Sequence, residues 1–263
     1  MPKDFPLGNG NIFVNFDQDY NLRDIYYPYV GLENHTLGHI SRFGVWTPDG
    51  FAWIGDPEMK CEARYLDDTL VTEVVLRHER LGVELTLRDA VDAELDALRR
   101  QVTVRNLSAE NRKIKLYFHL DLSIYGSAIG NTVYYHPDLQ SLIFYKRRRY
   151  FSLSCSPEDP QESGGPPAFT TGKKQEENRE GTWRDAEDGQ LERNPITQGS
   201  VDGTLELALG VPGNGERTGG FWIAFGTCFP AIERIERTVR RERPETRLLR
   251  KRRWWRATSR CSS

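Results

Sequence analysis

From Lys113 to Ser123 the chain alternates: Ile114, Leu116, Phe118, Leu120 and Leu122 are separated by Lys113, Lys115, Tyr117, His119 and Asp121. Successive side chains of a strand point to opposite faces, so a period of two predicts a strand with one buried and one wet face. Leu81, Val83, Leu85 and Leu87 alternate in the same way, and Val102 and Val104 continue the pattern up to a turn-like run, Asn106-Leu107-Ser108-Ala109-Glu110-Asn111. Val133-Tyr134-Tyr135 and Leu142-Ile143-Phe144-Tyr145 flank His136-Pro137-Asp138, a plausible hairpin connection. Leu205, Leu207, Leu209 and Val211 run into Pro212-Gly213-Asn214-Gly215, and the chain returns through Phe221, Ile223 and Phe225. Repeated short strands between turns predict antiparallel sheets packed face to face. A chain of 263 residues can bury one large β core or two ordinary ones.

Two regions break the alternation. Residues 156–180 are rich in Pro, Gly, Glu, Gln and Lys and read as a long surface loop, because strand-like sequence resumes beyond them. After Phe229, Pro230 can open a helix whose stripe is Ile232, Ile235 and Val239, and Pro244 would end or kink it. From Arg240 to Arg260 there are ten basic residues and two acidic ones. Across the whole chain 36 Lys and Arg face 38 Asp and Glu, so no broad bias toward nucleic acid is expected. Cys61, Cys155, Cys228 and Cys261 have neither metal-type spacing nor a disulfide pattern. No apolar stretch is long enough to cross a bilayer and no signal-like segment opens the chain, so cytoplasmic residence is the expectation.

Two polar-aromatic clusters are candidates for chemistry. Gly181-Thr182-Trp183-Arg184-Asp185-Ala186-Glu187-Asp188 could stack a sugar on Trp183, bond its hydroxyls through Arg184, or supply a carboxylate pair from Asp185, Glu187 and Asp188. The same residues also suit a solvated surface turn whose Trp covers a sheet edge. Tyr26, Tyr27, Tyr29, Glu33, Asn34 and His35, with His39 beyond, could line a pocket or form a strand end and a hydrogen-bonded turn. Asp17-Gln18-Asp19-Tyr20-Asn21 starts like a calcium loop but continues with Leu22 where glycine is needed and has Pro28 at the twelfth position. Gly8-Asn9-Gly10-Asn11 precedes strand-like Ile12-Phe13-Val14 and reads as a turn, not a phosphate loop.

Longer segments carry a resemblance. Leu7-Gly8-Asn9-Gly10-Asn11, Tyr20-Asn21-Leu22-Arg23-Asp24, Tyr26-Tyr27-Pro28-Tyr29-Val30-Gly31 and Glu33-Asn34-His35 resemble the opening of bacterial and archaeal glucoamylase-type proteins of glycoside hydrolase family 15. Arg64-Tyr65-Leu66-Asp67-Asp68-Thr69, Gly181-Thr182-Trp183-Arg184-Asp185, Asn194-Pro195-Ile196 and Gln198-Gly199-Ser200-Val201-Asp202 extend it over roughly residues 5 to 245. The resemblance implies a mainly β fold, an antiparallel super-β-sandwich of the galactose mutarotase-like type over residues 1–229, and a helical linker over 230–263. It also implies a large catalytic α/α barrel as partner, whose two glutamates hydrolyse α-glucosidic bonds with inversion. No residue here matches either glutamate, so none is assigned a catalytic role, and no cofactor or metal is implied.

The linker of such proteins is mixed in charge, whereas Arg247-Leu248-Leu249-Arg250-Lys251-Arg252-Arg253-Trp254-Trp255-Arg256 has lost its acids. The expectation is a truncated or frameshifted chain end. Tyr26, Tyr27, Tyr29, Glu33, Asn34, His35, Trp183, Arg184, Asp185, Glu187 and Asp188 become candidates for the barrel interface or the rim of its cleft. Three classes of function follow: a non-catalytic accessory domain, a module binding α-glucan oligosaccharides, and a mutarotase-like enzyme using His35, His39 or His119 with a carboxylate. No nucleic-acid or membrane partner is expected.

Overall fold

The computed structural model describes residues 4–174 and 181–241. Among the described residues seventeen strands form three sheets, and every strand pairing is antiparallel. The first is a small meander of β1 (Phe5–Gly8), β2 (Phe13–Phe16) and β3 (Leu22–Tyr26). The Gly8-to-Asn11 segment is the hairpin turn between its first two strands, as expected.

The other strands, in chain order, are β4 (Phe43–Thr47), β5 (Gly50–Trp53), β6 (Lys60–Tyr65), β7 (Thr72–His78), β8 (Val83–Val91) and β9 (Ala97–Asn106). After these come β10 (Arg112–Asp121), β11 (Asn131–His136), β12 (Ser141–Lys146), β13 (Arg149–Pro157) and β14 (Ala168–Lys173). The last three are β15 (Ile196–Gly199), β16 (Val201–Val211) and β17 (Glu216–Gly226). A five-stranded sheet runs β14-β16-β10-β4-β5, and a nine-stranded sheet runs β15-β11-β12-β13-β17-β9-β8-β7-β6.

The two large sheets face each other across one core. Leu116, Phe118 and Leu120 of β10 and Leu205, Leu207 and Leu209 of β16 meet Phe221, Ile223 and Phe225 of β17 and Val102 and Val104 of β9. Phe43, Phe118 and Phe221 join the sheets edge to face, with ring centroids 5.5–5.9 Å apart. The mainly β, face-to-face sandwich is therefore as the alternation predicts. The Pro212–Gly215 turn does more than reverse the chain: β16 and β17 lie in different sheets, so this turn carries the chain across the core.

Two local expectations are corrected. The polar face of β10 is wet only at its start, where Lys113 is exposed: Tyr117, His119 and Asp121 are buried, because residues 181–192 fold back over the outside of the five-stranded sheet. Residues 156–180 are not one surface loop, since Pro160–Glu162 form a 3-10 turn and β14 pairs along β16 from Ala168 opposite Glu206 to Lys173 opposite Val201. The predicted helix exists as α2 (Phe229–Arg241), and its Ile232, Ile235 and Val239 are buried. Ile235 and Val239 pack on Trp222, Ala224 and Ala97, on the outer side of the nine-stranded sheet. The Pro244 break and the basic run from Arg243 onward lie outside the described residues. The α1 helix is a single turn, Thr182–Asp185, in the segment that covers β10.

Candidate functional site

The covering segment is held in place by its backbone. Gly181 has φ +76°, and a Cβ there would sit 2.9 Å from Asp202 Oδ2 and 3.0 Å from the Trp183 ring. Only glycine admits that approach without strain. The Thr182 N–H then donates to Asp202 Oδ2 at 3.0 Å, and the Thr182 and Thr204 hydroxyls meet at 3.0 Å. Trp53 donates from Nε1 to Glu187 at 3.2 Å, and Tyr117 donates to Glu206 at 2.8 Å. Burial beside Glu206 drives the Tyr117 phenol well above its ordinary range, so this hydroxyl stays a donor.

Beneath this flap lies a cavity of about 130 Å³ lined by His39, Ile40, Arg42, His119, Asp121, Trp183 and Asp202. Strand register assembles it: Asp121 of β10 sits directly across from Asp202 of β16. Two facing carboxylates repel, and each is met by a partner, Lys174 at Asp121 and His119 at Asp202. Lys174 donates to Asp121 and, at 2.9 Å, to Ser123. His119 Nε2 lies 3.0 Å from Asp202 Oδ2. His119 Nδ1 and Asp202 Oδ1 are both buried with no hydrogen-bond partner. Arg42 is half-buried with its guanidinium 4.7 Å from the centroid of Trp183, and burial lowers its pKa.

Trp183 is thus in this site, but not as an open stacking platform. The Arg42 and Arg184 guanidinium groups both lie over its ring, at 4.7 and 4.4 Å, and Trp53 meets it edge-on at 6.3 Å. Each cation–π contact is worth ~0.5–2 kcal/mol, which a sugar face would have to displace. The carboxylates of this segment are also engaged. Glu187 accepts from Trp53 and pairs with Arg184 at 3.6 Å, Asp185 accepts the Glu192 N–H at 2.9 Å, and Asp188 accepts the Gln190 N–H at 2.8 Å. Burial raises the Asp185 pKa. A broad groove of about 660 Å³ runs beside Asp185, Glu187 and Asp188.

The second predicted cluster resolves into a pinned loop with an apolar tip. His35 is fully buried, with Nε2 2.7 Å from the Tyr27 carbonyl and Nδ1 accepting the Tyr125 N–H at 3.1 Å. Both ring nitrogens are occupied and burial lowers its pKa, so it is a neutral structural residue. Glu33 forms a two-pronged pair with Arg149, 2.8 Å at each oxygen. Asn34 donates to Asp24 at 2.9 Å and accepts the Thr36 N–H at 3.0 Å. Tyr27 is buried against Phe151 and Phe225, and burial pushes its phenol up to about 12. Tyr26 packs on Phe13.

What remains exposed is Tyr29, Val30, Leu32 and Leu37, with Tyr125 and Ile129 on the neighbouring loop. Leu32 is 83% exposed and Ile129 80%. The two loops touch: Tyr125 meets His35 edge-on, and Arg149 reaches over both Tyr29 and Tyr125. Among the described residues no hydrogen bond or ion pair joins this loop's Tyr26–His35 cluster to residues 183–188. Single-sequence reading missed Arg42, Asp121, Lys174 and Asp202. The signal was the ionisable face of β10, but their convergence depends on a register with β16 some eighty residues away.

No family model matches the chain. An uncharacterised glycosyl hydrolase of Methanocaldococcus jannaschii is 25% identical over 132 residues, which is 50% of this chain and 21% of that protein. The structure is similar to a bacterial glucoamylase solved with acarbose, at TM-score 0.72 and 12% identity, covering 97% of this chain and 38% of that one. It is also similar to an inverting mannosidase of family 92 from Bacteroides thetaiotaomicron, at TM-score 0.50 and 10% identity, covering 96% of this chain and 32% of that one. The chain therefore spans about a fifth of the curated relative it matches and about a third of either enzyme of known structure.

Proposed function

We propose that residues 1–229 are the non-catalytic β-sandwich domain of a glucoamylase-type glycoside hydrolase of family 15, with 230–263 as its linker, serving to support a catalytic α/α barrel. The observation that carries this reading is that almost the whole chain superposes on a little over a third of the bacterial glucoamylase. The sequence likeness to an archaeal glycosyl hydrolase supports it independently. Asp185, Glu187 and Asp188 point the same way, because each is engaged by a local partner. The apolar tip formed by Tyr29, Leu32, Leu37 and Ile129 supplies a docking face of the kind that marks protein contact.

The test is an assay in two arms. Purified chain incubated with maltose-type oligosaccharides should release no glucose. The same chain mixed with the isolated barrel of a bacterial glucoamylase should form a complex detectable by sedimentation. Glucose release by the chain alone, with contaminating amylases excluded, would overturn the reading.

A further inference from the structure

The cavity under the 181–192 segment is built for a ligand that the docking role does not require. Three polar groups border it without a partner. His119 is 2% exposed and Asp202 1%, yet His119 Nδ1 and Asp202 Oδ1 bond nothing. The guanidinium of Arg42 has no acceptor within hydrogen-bond or ion-pair distance among the described residues, and rests only on the Trp183 ring. Leaving a buried polar atom unpaired costs about 1–3 kcal/mol, so the two buried atoms, with the half-buried Arg42 guanidinium beside them, constitute an unmet demand for hydrogen bonds.

The charges select the ligand class. Arg42 and Lys174 are balanced by Asp121 and Asp202. An added anion would face two carboxylates, and an added cation would face two basic side chains. A neutral molecule that both donates and accepts meets neither penalty. At ~30 Å³ per water the cavity of about 130 Å³ holds roughly four waters. That is room for the hydroxyl-bearing edge of one ring and not for a chain of rings.

We infer that this cavity binds the vicinal hydroxyls of a neutral polyol such as a monosaccharide, which donates to Asp202 Oδ1, accepts from the Arg42 guanidinium, and bonds His119 Nδ1. The assignment stands on the cavity alone and does not depend on the docking role.

The probe is D-glucose as a small rigid polyol, titrated into the ¹⁵N-labelled chain and followed by amide chemical shifts, with sodium phosphate titrated in parallel. Saturable shifts confined to residues 39–42, 119–121, 182–183 and 202 are expected with glucose and not with phosphate. Arg42→Gln should weaken glucose binding at least about tenfold, ~1.4 kcal/mol, in a chain whose amide shifts away from the cavity match the parent's. Asp202→Asn should weaken it as well; because Asp202 also anchors Thr182, Arg42→Gln keeps the test valid if Asp202→Asn does not fold. Shifts that never saturate, saturation by phosphate instead of glucose, or undiminished glucose binding by Arg42→Gln would each overturn the inference.

Discussion

Arg100 brings a full charge into the aromatic core. Its guanidinium grips Asp89 through two 2.8 Å bonds, lies over the rings of Phe16, Tyr20, Phe43 and Phe118, and shares Asp89 with the Tyr20 hydroxyl at 2.7 Å. Removing one member of such a pair strands the other charge, at ~3–5 kcal/mol, whereas replacing both with apolar groups can be neutral. Arg100→Met should therefore cost about 3–5 kcal/mol in denaturant unfolding, and adding Asp89→Leu should recover most of it. A single-variant loss under ~1 kcal/mol would mean the pair behaves like a surface one. The same scale shows what residue types alone conceal. Tyr26 to His35 offers an acid, an amide and a histidine, all of which suit a pocket. Arg149, 116 positions from Glu33, turns that acid into a clamp, and the Tyr27 carbonyl and Tyr125 N–H occupy both nitrogens of His35. Candidate residues were legible; their partners were not.

At the scale of elements, α2 is fastened by one buried acid. Glu236 is fully buried, accepting from Ser152, from Ser154 at 2.9 Å and from Trp222 Nε1 at 2.8 Å. Burial raises its pKa despite these bonds and despite Arg240 at 3.9 Å. The unfolded chain ionises this group first, near the ordinary glutamate value of ~4.3. Folded stability from Glu236 is thus greatest in acid and declines as pH rises from that value through the raised one. Glu236→Gln keeps an acceptor and removes the charge. Urea melts should find it at least as stable as the parent at pH 7, with that advantage gone at pH 4. An equal loss at both pH values would assign the acid's role to its hydrogen bonds alone. The stripe of Ile232, Ile235 and Val239 made this helix readable, because a 3.6-residue period needs no knowledge of the partner surface. Ala168–Lys173 was unreadable as β14 because its few residues follow a Pro-Gly-rich run, and only the ladder to β16 makes it a strand. The outer face of β10 misled for a related reason: Tyr117, His119 and Asp121 are polar enough for water, and the segment that buries them arrives sixty residues later.

For the whole molecule, period-two alternation was sufficient to announce packed antiparallel sheets, since it records which face is dry without saying what dries it. It says nothing of surfaces left for another body. Tyr29, Val30, Leu32, Leu37, Tyr125 and Ile129 account for six of the seven large apolar residues exposed among the described residues. They sit on two touching loops, a concentration that scattered surface residues would not produce. With ~25 cal/mol gained per Å² of apolar surface removed from water, two copies of the isolated chain gain by pressing these tips together when no barrel covers them. Light scattering should accordingly report a mass that rises with concentration. Leu32→Ser combined with Ile129→Ser should return the chain to a monomer while leaving its melting temperature unchanged, because both side chains already face water in the fold. The same double variant should also weaken the complex with an added barrel, since the proposed docking role gives one face both contacts. A chain that stays monomeric at high concentration and binds the barrel equally well with both serines in place would move the docking surface away from this end of the sandwich.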